Sequence, residues 1–276
     1  MEYYINSGKI TNYSQGISVN NRAFRYGDAL FETMYYTNGR VIFFDKHIER
    51  LRKGLSTFKI HYNNLIINKL LSLIKELIQV NNIKGSARIR LQVFRKDGGL
   101  YLPNNNELDY IIEVFPLDNS IYKINKKGIH IGIANSVRKD NNQFSQLKTT
   151  SKMDMVLCAI EAEEMGWDDA IIMNSTGKLV ESSKSNLFIY KNNKLYTPTI
   201  EDGPLNGIMR QAIIELSNKS GIECIETHIT ETNLINADEV FLTNAIIGVN
   251  WVSAFKSKRY MHKISDILIN ELNKLL

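Results

Sequence analysis

Cysteine is nearly absent: the 276 residues hold two, Cys158 and Cys224, each in an apolar context. That excludes a disulfide framework and a cysteine-based metal spacing, and predicts buried free thiols in a reducing compartment. The five histidines (His47, His61, His130, His228, His262) stand alone with no pair at ligand spacing, so no metal site is expected. No charge-free apolar run is long enough to span a bilayer. The opening residues, Met-Glu-Tyr-Tyr-Ile-Asn, lack the basic region and apolar run of a signal peptide, so a cytoplasmic protein with no membrane partner is expected. Nor is charge strongly one-sided. The formal net charge is +5, and the densest basic group, Lys256-Ser257-Lys258-Arg259, lacks interleaved aromatics. A solvated turn is the better reading there, and a nucleic-acid partner is not expected. A weakly basic chain suits anionic small substrates.

What remains is an ordinary globular composition, 43% apolar and 23% charged, enough for one large or two smaller cores. Residues 1–115 read as an N-terminal α+β domain, in which helices flank an antiparallel sheet. Its signals are hairpins at Tyr3–Ile10 and around Asn38-Gly39, helical periodicity at Lys46–Phe58 and Leu65–Val80, and strands at Ala87–Phe94 and Tyr110–Phe115. Residues 116–127 read as an interdomain linker. Residues 128–276 form a second domain, with a strand at Ile129–Ala134, a helix at Lys152–Met165 and strands at Ala170–Met173, Lys178–Tyr190 and Leu195–Tyr196. A helix at Ile208–Lys219, strands at Glu223–Thr227 and Glu239–Leu242, and a terminal helix at Ile264–Leu275 complete it.

Two positions in the second half suggest chemistry. Lys148, before a helix entry near Ser151, is either a surface lysine or an amine able to form a Schiff base in a partly desolvated site. Glu181, on a strand-like run, is either a solvent-facing carboxylate or a group that keeps a ring nitrogen protonated. Together they match the protein's two contributions to pyridoxal phosphate chemistry. Asn206-Gly207-Ile208-Met209-Arg210 opens an amphipathic helix whose unpaired amides suit a phosphate, although a plain helix start reads the same way. Arg50 in His47-Ile48-Glu49-Arg50-Leu51 is either a solvated helix arginine or a phosphate clamp. The polar Thr243-Asn244 pair offers further phosphate ligands or a satisfied strand end.

In this order the motifs resemble the class-IV aminotransferases, the fold-type IV pyridoxal phosphate enzymes. The resemblance runs from Arg25-Tyr26-Gly27-Asp28-Ala29-Leu30-Phe31-Glu32 through His47–Leu51, Leu147-Lys148, Glu181–Asn186, Thr197-Pro198 and Leu205–Arg210 to Ala237–Phe241 and Thr243–Gly248. It implies a two-domain fold like that of D-amino-acid aminotransferases: an N-terminal antiparallel sheet with flanking helices, and a larger α/β barrel-like domain. It implies that Lys148 carries the Schiff base, that Glu181 pairs with the pyridine nitrogen, and that Arg50 and the amides of Ile208 and Met209 hold the phosphate. Asn186, Leu205, Gly207, Asn244 and Ala245 complete the implied cofactor set. The implied partners are an amino-acid-like small substrate and a second copy of the chain, with each active site at the domain interface and completed by the partner chain.

Within the family the motifs lean toward 4-amino-4-deoxychorismate lyase, which forms 4-aminobenzoate and pyruvate for folate synthesis. The phosphate loop Asn206–Arg210, the late turn Asn244-Ala245-Ile246, and Arg95 followed by Gly98-Gly99 and Tyr101 resemble the lyases. Branched-chain aminotransferases carry a tyrosine where Met153 stands. D-amino-acid aminotransferases use an arginine and a histidine where Leu100 and Leu102 appear. Two departures from the lyases are Leu100, where some have arginine, and Trp251, where proline is common. Tyr26, Phe31, Arg95 and Tyr101 are the pocket candidates. A transaminase of branched-chain or D-amino acids is the alternative, and a silent pyridoxal phosphate-binding protein ranks below both.

Overall fold

The computed structural model describes residues 2–276, which separate into two compact units. One comprises the chain up to Ser120 together with Leu147–Ser151; the other comprises Ile121–Gln146 and Lys152–Leu276. The segment holding Lys148 therefore clusters with the N-terminal elements, not with the sequence around it. Pro116 and Leu117, read as linker, are the last residues of a strand paired to Ala87 and Ser86.

The first unit contains β1 (Tyr3–Asn6), β2 (Lys9–Asn12), a short α1 (Arg22–Tyr26), β3 (Ala29–Thr37), β4 (Arg40–Val41), α2 (Phe44–Thr57), α3 (Asn64–Val80), β5 (Ser86–Arg95) and β6 (Leu108–Leu117). The sheet order is β2-β1-β6-β5-β3-β4 and every pairing is antiparallel. Asn38 and Gly39 take φ of 50° and 76°, as the type I′ reading requires. The second strand of the Asn38-Gly39 hairpin is short, because Phe43 turns left-handed (φ 54°) and starts α2. Helical spacing buries Ile48, Leu51 and Leu55 of α2 and Leu70, Ile74 and Leu77 of α3 with Met34, Ile89 and Leu91 of the sheet. Fully burying such side chains contributes roughly 1.5–3 kcal/mol each. Against the first residues of β3 lies Leu147–Ser151: Phe31 N donates to Lys148 O at 2.8 Å and Thr150 N to Ala29 O at 3.1 Å. Leu147 is buried in the same core.

The second unit runs β7 (Ile129–Arg138), α4 (Met153–Glu164), β8 (Asp169–Met173), β9 (Leu179–Ser182), β10 (Asn186–Lys191), β11 (Lys194–Pro198), α5 (Ile208–Lys219), β12 (Cys224–Thr227), α6 (Glu231–Asn236), β13 (Glu239–Asn244), β14 (Gly248–Phe255), β15 (Lys258–Arg259) and α7 (Lys263–Asn273). Strands β10-β13-β14-β7-β8-β9 follow one another, and β9 pairs back onto β10 through Asn186 and Glu181. That closes a six-stranded ring, the barrel-like domain, and β11 and β12 extend from β10. Alternate residues Leu187 and Ile189, and Val240 and Leu242, feed one apolar core. The single strand expected over Lys178–Tyr190 is two. Asp169 accepts from the hydroxyls of Ser182 (2.8 Å) and Ser183 (2.7 Å), and Ser182 N donates to Ser185 O, so the serines reverse the chain.

Cys158 is buried and free, and burial pushes its thiol up to about 12; Cys224 is only partly buried, short of the full burial expected. No helix among the described residues is long and apolar enough to cross a membrane.

Candidate active site

In the first unit, the main-chain bonds from β3 hold Lys148 beside Phe31, with Nζ 4.5 Å from the Phe31 ring centroid. Phe31, Arg50 and Lys148 line one small hollow, floored by Leu51 and Leu147. A second cation touches the same ring. The Arg90 guanidinium lies 4.2 Å from the Phe31 centroid, a favourable cation–π arrangement. Arg90 is half-buried on β5. Burial, and more weakly the nearby Arg88, push its pKa below the usual arginine value, and Glu113 at 4.0 Å offsets this only in part. Such a guanidinium is stabilised by any anion that comes beside it.

Arg50 rests on a buried acid. His47 and Arg50 sit three residues apart on α2 and so share a face. Both reach Glu32 of β3: Arg50 Nε donates to Oε1 at 2.8 Å, Arg50 Nη2 bonds Oε2, and His47 Nδ1 meets Oε2 at 2.7 Å. Burial alone would raise the Glu32 carboxyl. The charge of Arg50 and hydrogen bonds from His47 and Arg50 outweigh it and bring it down to about 2. Burial, with the charges of Arg50 and Lys148, holds His47 below the ordinary imidazole range against the pull of Glu32.

Glu32 is depressed when folded, so its contribution is complete above the ordinary 4.5 and is lost as pH falls toward about 2. His47 is also depressed, so the unfolded chain takes up its proton first as pH falls through 6.5, and stability declines there too. Thermal melts of Glu32→Gln against the parent are expected to differ most above pH 4.5 and to converge near pH 2. A constant offset across that range contradicts the assignment.

Tyr26 stacks obliquely on Tyr101 (centroids 5.6 Å apart), and Tyr101 lies on a loop tip where Leu100, Tyr101 and Leu102 are all exposed. Gly99 makes that loop possible, since its φ is +76° and a Cβ would fall 2.2 Å from Leu102 O. Arg95 does not point a free fork at a substrate. Its Nε and Nη2 bond Asp28, Nη2 also bonds Phe58 O, and Nη1 bonds Lys59 O and Asn106 Oδ1. All five N–H donors are used within the first unit, and Arg95 is held there as a buried tether. Arg22 shares Asp28 and bonds the carbonyls of Gly98 and Leu100, fixing the loop base.

In the second unit, the β9–β10 turn sets Glu181 and Asn186 opposite each other. Glu181 Oε2 accepts from Leu205 N at 3.0 Å and Asn186 Nδ2 at 3.3 Å, and Asn186 Nδ2 also bonds Leu205 O at 2.8 Å. The other oxygen, Oε1, contacts Nζ of Lys139, a buried lysine that sequence reading passed over. Gly207 must be glycine here, because a Cβ would come within 2.0 Å of Asn186 Oδ1. It leads directly into α5, which has no side-chain cap. The first helical bond is Gln211 N to Gly207 O, so the amides of Ile208 and Met209 lie ahead of it, among the helix's unpaired donors. Asn244 lies on β13, and its side chain bonds Ser185 and the amides of Ile246 and Ile247, so it closes its own turn. The Ala245 carbonyl accepts from Tyr122 Oη. The neighbouring Thr243 hydroxyl is buried with no partner among the described residues, and it is the better-placed polar group of that pair.

A sequence model for amino-transferase class IV matches residues 29–255. The chain belongs to this family. It is 30% identical to an Aquifex aeolicus protein named a probable branched-chain-amino-acid aminotransferase, over 94% of this chain and 86% of that one. It is 25% identical to the aminodeoxychorismate lyase of Vibrio harveyi, over 94% of each. A Legionella pneumophila structure provisionally assigned as a 4-amino-4-deoxychorismate lyase superposes with a TM-score of 0.84 at 28% identity, covering 95% of this chain and 96% of that one.

Class IV amino-transferases are pyridoxal phosphate-dependent enzymes, and the residues present fit that group. The first unit offers an amine and a fixed guanidinium; the second offers a buried carboxylate, a glycine-led helix start and an orphaned hydroxyl. Sequence reasoning missed Arg90, Lys139 and the Glu32–His47 pair. Each is a single charged or polar residue in a strand, a strand end or a helix, and only packing reveals its burial.

Proposed function

We propose that this class IV enzyme is a 4-amino-4-deoxychorismate lyase, releasing 4-aminobenzoate and pyruvate in the folate pathway of the cytoplasm. The observation that carries the reading is the pair of cations, Lys148 and Arg90, on one Phe31 ring. A lysine amine suits the carbonyl chemistry, and a guanidinium on the same ring suits a substrate with a carboxylate remote from its amine. Aminodeoxychorismate has an amine and two carboxylates. Met153 and the Asn206–Arg210 and Asn244-Ala245-Ile246 motifs support the same choice.

In this reading, bound pyridoxal phosphate supplies an electron sink for charge developing on substrate carbon. Lys148 would hold the cofactor through its side-chain amine, and that amine, when free, would take up the proton at the carbon bearing the substrate nitrogen. Glu181 holds the proton on the ring nitrogen, and Lys139 and Leu205 N fix the Glu181 carboxylate in place. Arg50 in the first unit, and the Ile208 and Met209 amides with the Thr243 hydroxyl in the second, would be the phosphate ligands each unit supplies. Arg90 draws in the remote carboxylate, and Tyr26 and Phe31 wall the pocket.

The test is to offer the purified holoenzyme 4-amino-4-deoxychorismate and follow pyruvate. Stoichiometric pyruvate and 4-aminobenzoate are expected. Keto-acid-dependent turnover of branched-chain or D-amino acids, with no pyruvate from 4-amino-4-deoxychorismate, would replace the lyase by a transaminase. Arg90→Met is expected to raise KM for the dicarboxylate substrate about tenfold or more, since a charged hydrogen bond contributes ~1.5–3 kcal/mol. An unchanged KM removes Arg90 from the site.

The exposed apolar tip of Leu100, Tyr101 and Leu102, with Val19 and Phe24 also exposed in the same unit, supports a homodimer. A particle of single-chain mass by light scattering contradicts this.

A further inference from the structure

Arg50, Glu32 and His47 form a graded set: the histidine and glutamate side chains are 1% and 2% exposed, and the arginine, at 10%, lines the hollow with Lys148. Two N–H donors of one guanidinium on one carboxylate fix the plane of the group as well as its position. His47 Nδ1, bonded to Oε2, stops the carboxylate from rotating. With Glu32 ionised, Nδ1 carries the hydrogen, and His47 Nε2 is left buried without a partner among the described residues.

Resting on the reading of Arg50 as a phosphate ligand, we infer that Glu32 and His47 are positioning residues that set how tightly the enzyme grips the phosphate end of its cofactor. The chemistry decides between two opposite effects. Arg50 and Glu32 together are electrically neutral, so Glu32 weakens any simple charge attraction for phosphate. It also removes most of the rotamer freedom of a long side chain before the phosphate arrives. If charge governs, removing Glu32 tightens phosphate binding; if orientation governs, removing it loosens binding. The bidentate geometry and the burial of both supports favour orientation.

The experiment titrates cofactor-stripped protein with pyridoxal 5′-phosphate and, separately, with pyridoxal, which lacks the phosphate. Glu32→Gln is expected to weaken pyridoxal 5′-phosphate binding by about tenfold or more and to leave pyridoxal affinity unchanged. His47→Gln is expected to move in the same direction by less. In an Arg50→Gln background, Glu32→Gln is expected to add nothing, because Glu32 acts through Arg50. Equal loss for both ligands marks a merely structural role and overturns the inference, as does tighter or unchanged phosphate binding. If Arg50→Gln itself leaves the preference for the phosphorylated ligand intact, the reading of Arg50 falls instead. Should Glu32→Gln fail to fold, His47→Gln alone decides: reduced preference for the phosphorylated ligand supports positioning, and an intact preference refutes it.

Discussion

Lys148→Ala protein is expected to lose turnover by about 10³-fold or more, the scale of removing a group that both holds the cofactor and moves the proton. The fold should survive. Lys148 is half-buried, and alanine keeps its main-chain contribution: Phe31 N donates to its carbonyl. Leu147, the residue before Lys148, anchors the segment in the core of the first unit. The variant is therefore expected to melt close to the parent while releasing cofactor on dialysis. Retained turnover in a well-folded Lys148→Ala protein would remove the lysine from the mechanism.

Glu181→Gln is expected to act twice. It removes the charge that holds a ring proton, a loss of about 10²–10³ in kcat if Glu181 acts as preorganised electrostatic support. It also leaves Lys139 as a buried cation without its counter-charge, and breaking one side of a buried pair costs about 3–5 kcal/mol. The amide adds a donor facing Leu205 N and the Asn186 amide, where the carboxylate had only accepted. Lys139→Met in the same chain separates the two effects. The double variant should regain much of the melting temperature and little of the turnover. Recovery of turnover together with stability would mean that Glu181 serves the fold alone.

Sequence alone makes part of this legible. The amphipathic helices over α2, α3 and α5 follow from apolar spacing, and the Asn38-Gly39 hairpin follows from turn chemistry. β14 is the instructive omission: Gly248–Phe255 is buried on both faces, so it carries no polar–apolar alternation to read. The β9–β10 reversal is equally hidden, because it depends on Asp169, distant in sequence, accepting from two serines. The site divides in the same way. Lys148, Glu181 and the Asn206–Arg210 start stand in ordered motifs that can be recognised. Arg95 stands in a motif too, yet its five donors face the Asp28 carboxylate, two carbonyls and one carboxamide that only the folded chain assembles. Arg90 and Lys139 have no motif; what marks them is a ring and a carboxylate brought alongside by strand register and packing.

The most direct test of the account is the identity of the lysine that bonds the cofactor. Borohydride reduction of the holoenzyme, digestion and mass spectrometry should place the pyridoxyl mass on the peptide containing Gln146–Lys152, at Lys148. The same mass on Lys139, the buried lysine of the proposed machinery, or no modified peptide at all, would contradict it.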